Sequence, residues 1–259
     1  MLGRSLFRKE IRENTLKFLF GVLLLGALAL IITTPAASGP YPQSFFSRQD
    51  NLPGMETNLD KSPETAQKTL FSHFWKQWNS KGLALAGILV SIILGAGVFA
   101  QEKAKGTLFF LASTPLSRRN IYDTKVAAGL VLLFACIIGT TLLLILFTSF
   151  YGISLPVLPF VIGAFSAFCG LAVIYQVTII FSILIDDPLK AGAASAFLSS
   201  LLSIPGLFEG GQKYSLLLQM QSRNSTLEEP FSWFFFLLMA ALFFALRHLG
   251  LWLCYREEI

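Results

Sequence analysis

The chain has 259 residues, of which 54% are hydrophobic and only 14% are charged, and Phe alone occurs 25 times. A soluble domain carries roughly 25% charged residues and cannot remove this much apolar surface from water, so the composition excludes an ordinary soluble domain and indicates a membrane protein. The formal net charge of +5 does not indicate nucleic-acid binding, because Lys and Arg also hold membrane-protein loops on the cytoplasmic side.

The first predicted element is a basic amphipathic helix over residues 1–17. Leu6 and Ile11 fall on one helical face, whereas Arg8 and Arg12 fall around the other. Such a helix lies in the plane of the membrane interface, with its apolar face toward the acyl chains and its basic face toward the headgroups. We therefore expect Arg8 and Arg12 to act as interface anchors.

Six apolar runs follow, each close to the roughly 20 residues that a helix needs to cross the hydrocarbon core. They cover residues 18–34, 83–100, 126–150, 157–185, 189–208 and 231–255. We interpret the first run as a retained span, not a cleaved signal peptide, because Pro35 and the later runs fit a polytopic protein. The acidic pair and proline at 186–188 indicate a tight surface turn between the fourth and fifth runs. The sequence thus predicts an all-α membrane protein whose residues 18–259 form a single six-span domain.

The distribution of basic residues predicts the orientation. With both termini inside, the segments 1–17, 101–125 and 186–190 and the C-terminal end carry 13 of the 20 Lys and Arg residues. This asymmetry predicts cytoplasmic termini, location in the cell (inner) membrane, and external loops over 36–82 and 209–230.

The two external loops carry further features. The later part of the first loop is rich in aromatics, for which we favour an interfacial belt over contact with a substrate or partner; they are Phe71, Phe74, Trp75 and Trp78. The second loop is polar at its ends and apolar in the middle, so a partial return into the membrane stays open. The role of the first loop is not set by the sequence.

Chemistry-bearing residues are scarce. The apolar runs hold no Asp, Glu, Lys or Arg away from their ends, which argues against an ion-coupled transporter or a charged selectivity ring. A phosphate-binding GxxxxGK[ST] loop is missing from the sequence. The isolated residues His73 and His248 and the three apolar-run cysteines form no catalytic or metal-binding set. We predict no catalytic, cofactor-binding or metal-binding residue, and no enzyme activity of the chain itself.

The cytoplasmic segment 101–125 is the most informative stretch. Leu108 and Leu111 can form the apolar face of a short helix whose other residues, including Glu102, are expected to face solvent. Thr114-Pro115 is expected to end that helix. Ser117 is placed to cap the next helix. Basic residues follow that are expected to anchor it at the headgroups, namely Arg118, Arg119 and Lys125. An ordinary basic surface loop is the alternative interpretation.

The spacing Glu102-xxx-Gly106-Thr107-Leu108-xx-Leu111-xxx-Pro115-x-Ser117-Arg118-xx-Ile121-xxx-Lys125 resembles the loop between the second and third spans of type-2 ATP-binding-cassette (ABC) transporter permeases. In that family this loop holds the coupling helix, which docks on a cytoplasmic ATPase. The resemblance covers about 24 residues at the matching topological position. The long loop at 36–82 departs from the shortest family members and leaves the subfamily, and with it the substrate, open.

The resemblance implies a permease subunit of an ATP-driven transporter. It implies docking of a separate ATPase, which binds ATP and magnesium, on a coupling segment in which we expect contacts from Glu102, Gly106, Thr107, Leu108, Leu111 and Pro115. It also implies pairing with a second copy or a related permease. We expect an exporter of an apolar or amphipathic substrate in contact with membrane lipid. A membrane scaffold or assembly factor without transport is the alternative, and the direction of transport stays open.

Overall fold

The computed structural model describes residues 2–37, 71–107, 117–153, 155–204 and 233–256, with the single residues 208, 215 and 220. Within these ranges the chain is helical and contains no strand, which confirms the predicted all-α class. The helices are α1 (Leu2–Glu13), α2 (Thr15–Ala37), α3 (Phe71–Ala96), α4 (Ala100–Ala104), α5 (Arg118–Phe150), α6 (Val157–Leu184), α7 (Pro188–Leu201) and α8 (Trp233–Arg256).

Five helices of the described ranges are long and apolar enough to cross a membrane: Thr15–Thr34, Phe71–Ala96, Arg118–Phe150, Val157–Leu184 and Phe235–Arg256. The predicted fifth span, 189–208, begins as α7, whose 14 residues are fewer than the roughly 20 of a full crossing. The six-span count therefore stays a prediction. The predicted turn before α7 is confirmed, because Asp187 caps the helix by accepting the Leu189 N–H over 2.8 Å.

α6 is the central helix of the bundle. It packs against α3, α5, α7 and α8, and every residue from Gly170 to Ile179 is buried. A helix that is buried on all sides needs apolar or small residues around its whole circumference. This requirement explains why α6 shows no amphipathic stripe in the sequence.

α2 and α8 lie at the periphery. Only 17% of the most apolar stretch of α2 and 22% of that of α8 is buried inside the protein. Large side chains such as Leu23 on α2 and Leu237 on α8 are more than half exposed. Apolar faces of this extent are stable only against lipid or another apolar surface, which supports the membrane assignment.

The aromatic residues before the second predicted span differ from the expected interfacial belt. α3 is already helical at Phe71 and is π-helical over Lys76–Ala86. Phe74 and Trp78 are fully buried, and Trp78 Nε1 donates to Thr141 Oγ1 of α5 over 3.2 Å. These rings are part of the protein core because neighbouring spans cover them, which the local sequence does not reveal.

Close helix contacts depend on glycines of the membrane body. A Cβ at Gly129 of α5 would overlap the phenol oxygen of Tyr175 on α6 and would lie 2.5 Å from its Cζ. The same relation holds between Gly250 of α8 and Tyr122 of α5, where the ring Cζ would be 3.0 Å away. Tyr122 also accepts a hydrogen bond from Gln176 Nε2 of α6. The two tyrosines thus fill the space that the glycines leave between α5 and α6 and between α5 and α8.

Candidate functional site at the cytoplasmic end of the bundle

The second span does not continue as one helix into the cytoplasm. α3 ends at Ala96 and α4 begins at Ala100, and in the turn between them Val98 donates its N–H to the Gly95 carbonyl over 3.2 Å. The last carbonyls of one helix and the first N–H groups of the next have no partner inside their own helices. Because this break is buried, those groups need partners from elsewhere in the protein.

One side chain of α6 supplies these partners. Ser182 Oγ accepts the N–H of Phe99 over 3.0 Å and the N–H of Ala100 over 2.9 Å, and it donates to the carbonyl of Ala96 over 2.9 Å. A serine hydroxyl has one proton and two lone pairs. All three are used here, at a residue that is fully buried, so one hydroxyl connects the end of α3 with the start of α4.

α4 has a second connection to α6 through Lys103. Its ammonium donates to the carbonyl of Ile183 over 2.5 Å and lies 3.3 Å from the carboxylate of Asp186 in the turn before α7. The lysine side chain is 14% exposed, whereas that of Asp186 is 81% exposed. We therefore attribute most of the connection to the carbonyl contact, because exposed ion pairs contribute little.

A buried ion cluster connects α4 to the other side of the bundle. The ammonium of Lys125 on α5 lies 2.7 Å from the Glu10 carboxylate of α1 and 3.0 Å from the Glu102 carboxylate of α4. It also donates to the carbonyl of Val98 in the helix break over 3.3 Å. The lysine side chain is only 1% exposed. The prediction that Lys125 anchors at the headgroups is therefore wrong. The sequence predicts that Glu102 is exposed to solvent, but it is buried.

Burial and the neighbouring charges of this cluster shift the pKa of Glu10. Burial raises the pKa of Glu10, and the nearby carboxylates of Glu102 and Glu13 act in the same direction, against the opposing effect of Lys125. The ligand oxygens of the three glutamates lie within 4.8 Å of one another, a spacing that suits a cation. Lys125 already supplies a positive charge at that point, so the geometry does not call for a metal ion.

α4 ends in a Schellman motif at Gly106. Thr107 donates its N–H to the carbonyl of Glu102 over 3.0 Å, and Gly106 donates to that of Lys103 over 3.0 Å. Gly106 has φ +68°, and a Cβ there would meet nothing within 4 Å. The left-handed backbone thus requires a glycine at this position. Gly106 and Thr107 are exposed, and the predicted docking segment continues after them.

Replacing Gly106 by Val is expected to lower the free energy of unfolding by about 1–2 kcal/mol, the typical cost of a left-handed backbone in a residue with a Cβ. Gly106→Asn is expected to cost clearly less, because Asn tolerates this conformation. Thermal unfolding of the purified protein measures both. Equal losses in the two variants would show that backbone conformation is not the reason for the glycine.

The start of α5 lies beside the end of α8. Ser117 caps α5, as predicted, by accepting the N–H of Asn120 over 3.3 Å. Asp123 accepts two short bonds from the Arg247 guanidinium, at 2.6 and 2.7 Å. Arg118 donates to the carbonyl of Tyr255 over 3.4 Å. The first residues of α5 and the last residues of α8 therefore share one end of the bundle with α1 and α4.

The outer face of α1 is open. Leu6 packs on Ile121 of α5, and Glu10 reaches Lys125. The helix also lines an open cavity of about 800 Å³, whose lining includes Ser5, Arg8, Lys9, Arg12 and Glu13. Arg8 and Arg12 are exposed, as are Arg118 and Arg119. Their contact with lipid headgroups stays a prediction.

The structure brings together only part of the predicted site. Glu102, Gly106 and Thr107 are adjacent at the end of α4, whereas Leu108, Leu111 and Pro115 lie outside the described residues. Sequence reasoning missed Ser182 and Glu10. A serine in an apolar run is usually bonded to its own helix, and the 115-residue separation between Glu10 and Lys125 hides their contact in the sequence.

Comparison with known protein families gives a match for the sequence of this chain. A family model described as ABC-2 family transporter protein matches residues 4–234, which is most of the 259-residue chain and includes α1, the α3–α4 break and the segment 101–125. No curated protein matches the chain.

Proposed function

Because the chain belongs to the ABC-2 transporter family, it is a multi-pass membrane subunit of an ABC transporter, and we propose that it forms the transmembrane pathway of an exporter. A cytoplasmic ABC ATPase is the partner that the family implies. We assign the binding of ATP and magnesium to that ATPase. We assign its docking on this chain to residues 101–125.

One observation carries this proposal: the base of the docking segment is fixed to several transmembrane helices at once. α4 contacts α6 through Ser182 and α5 through Lys125, and it presents Gly106 and Thr107 to the exterior. A force applied after Gly106 is therefore passed to packed spans, because side chains without free space transmit displacement. Rigid-body tilting of spans, driven by differential binding of ATP to two states, is the motion that this connection serves.

The same end of the bundle is the side that we assign to the cytoplasm. α1, α4, the start of α5 and the end of α8 are connected there by the contacts described above. These segments hold 10 of the 20 Lys and Arg residues, and basic residues favour the cytoplasmic side. The proposal places both termini inside and the protein in the inner membrane.

We propose an apolar or amphipathic cargo and a paired permease. Apart from Lys125, two turns from the start of α5, the polar side chains buried within the described spans are neutral, such as Asn79, Thr141 and Gln176. The middle of the described spans therefore holds no charged group to bind an ion or a charged solute. The exposed apolar faces of α2 and α8 fit contact with lipid, with a second copy or with a related permease.

The docking assignment is tested by co-purifying the chain with the ATPase encoded beside it. The double variant Leu108→Asp, Leu111→Asp is expected to weaken the complex roughly 30-fold or more, since the loss of even one buried apolar anchor of an interface costs about 2 kcal/mol. The rate of ATP hydrolysis is expected to return to that of the isolated ATPase. The matched control is Tyr255→Asp, which adds an acid at an exposed position on the same end of the bundle, outside the segment.

The outcomes separate the alternatives. If the double variant assembles and stimulates ATP hydrolysis like the unmodified chain, the docking segment lies elsewhere. If the unmodified chain binds the ATPase but leaves its hydrolysis rate unchanged in lipid vesicles with or without candidate cargo, the chain acts as a scaffold and not as a permease.

A further inference from the structure

The hydroxyl of Ser182 is used differently from those of other buried hydroxyl residues in the described helices. Thr178, one turn earlier on α6, donates to the carbonyl of Ile174 in its own helix over 2.9 Å. Thr140 and Ser199 follow the same local pattern, which is the default for Ser and Thr in a helix. Ser182 instead directs its proton and both lone pairs to the α3–α4 break.

Without this hydroxyl the break has no internal means of satisfying its backbone. The N–H groups of Phe99 and Ala100 and the carbonyl of Ala96 are in residues that are at most 8% exposed. Each buried polar group without a partner costs about 1–3 kcal/mol. The backbone hydrogen bonds of the break are therefore completed from α6 and not by the residues of the break itself.

The break is also where α4 begins, the short helix that leads along the chain into residues 105–125. α4 has five residues, too few to form a stable helix alone, so its orientation depends on the groups that hold its two ends. Gly106 closes the C-terminal end of α4, and Ser182 accepts the N–H of Ala100 at its N-terminal end. Lys103 adds a second contact to the same helix through the carbonyl of Ile183, the residue after Ser182.

We propose that Ser182 is a positioning residue for coupling: it sets the orientation of α4 and passes movement of the docking segment to the central helix α6. This inference rests on the proposed function, because it assumes that the ATPase acts on residues 101–125. It adds that the fourth predicted span receives the movement directly, through one hydroxyl, and not only through α3.

The test compares Ser182→Ala with Thr178→Val in the complete permease–ATPase complex in lipid vesicles. Both substitutions delete one buried hydroxyl from α6 on the side that faces α3, and Val keeps the shape of Thr against Gly95. The Ile174 carbonyl loses only an extra bond in the control. In Ser182→Ala, by contrast, three backbone groups lose a partner.

We expect hydrogen exchange of the Phe99 and Ala100 amides to be at least about fivefold faster in Ser182→Ala. This factor corresponds to the smallest usual free-energy cost of leaving a buried polar group without a partner. We expect the stimulation of ATP hydrolysis by the permease to fall about fivefold or more in the same variant, for the same reason. Both quantities should stay at the unmodified level in Thr178→Val, and the amount of bound ATPase should be unchanged in both variants.

Normal stimulation by Ser182→Ala, despite faster exchange at the break, would overturn the inference and leave Ser182 with a structural role only. Failure of the unmodified chain to bind the ATPase would instead refute the proposed function. If Ser182→Ala does not assemble, Ser182→Cys replaces it, because a thiol is a weaker donor and acceptor. Faster exchange without reduced stimulation in that variant would overturn the inference equally.

Discussion

Replacing Lys125 by Met is expected to destabilise the protein by about 3–5 kcal/mol, the usual cost of removing one partner from a buried ion pair. The substitution removes the ammonium that contacts both the Glu10 and the Glu102 carboxylate, in a site where the lysine side chain is 1% exposed. Since whole proteins are stable by only about 5–15 kcal/mol, we expect a large loss of folded protein. Thermal unfolding and the size-exclusion profile in detergent measure it.

Two further variants establish the cause. The triple variant Lys125→Met, Glu10→Gln, Glu102→Gln is expected to recover most of the stability, because it removes the uncompensated charge along with the cation. Lys9→Met is the control, since its pair with Glu13 spans 3.6 Å between side chains that are about half exposed, and such a pair contributes at most about 1 kcal/mol. A triple variant no more stable than Lys125→Met would show that packing, and not charge, explains the loss.

The second large effect is expected at Gly129, where the substitution Gly129→Ala should lower the free energy of unfolding by about 3 kcal/mol, at the upper end of the usual cost of overpacking. The added Cβ would overlap the hydroxyl of Tyr175, whose side chain is fully buried on α6. Either the buried ring or the two helices would have to shift.

Gly139→Ala on the same helix is the matched control. A Cβ at Gly139 would meet nothing within 4 Å, so this substitution is expected to be neutral or to stabilise by up to about 1 kcal/mol through helix propensity. The same thermal unfolding assay measures both variants. Similar stabilities would mean that α5 and α6 are not in the close contact that the glycine allows.

The sequence predicted the membrane class, the Asp187 turn and the Ser117 cap, because these features depend on local composition or on neighbouring residues. It did not predict the environment of Lys125. A lysine at the end of an apolar run has the same local pattern whether it reaches the headgroups or turns inward, and only the approach of Glu10 from a distant helix decides between the two.

A second difference has the same origin. Phe74 and Trp78 have the composition of an interfacial belt, yet both are fully buried, and Trp78 bonds to Thr141 of α5. Local pattern thus locates these residues, but the partner surfaces that define their roles come from distant parts of the chain.

The break between α3 and α4 is the point where these long-range contacts meet. Ser182 holds it from α6, and Lys125 holds it from α5 through the Val98 carbonyl. Glu10 adds α1 to the same cluster. A movement of the docking segment would therefore reach four helices through buried polar contacts, and this arrangement suits a subunit driven by an external ATPase.

Cross-linking tests most directly whether the ATPase acts on residues 101–125. In a chain whose native residues Cys136, Cys169 and Cys254 are replaced by Ala, Thr107→Cys places a thiol at an exposed position at the end of α4. A short bifunctional maleimide is predicted to cross-link it to the co-purified ATPase. Ser149→Cys, exposed at the opposite end of α5, is predicted to give no such product. Cross-linking from Ser149→Cys, or a stable complex that gives none from Thr107→Cys, would contradict the account.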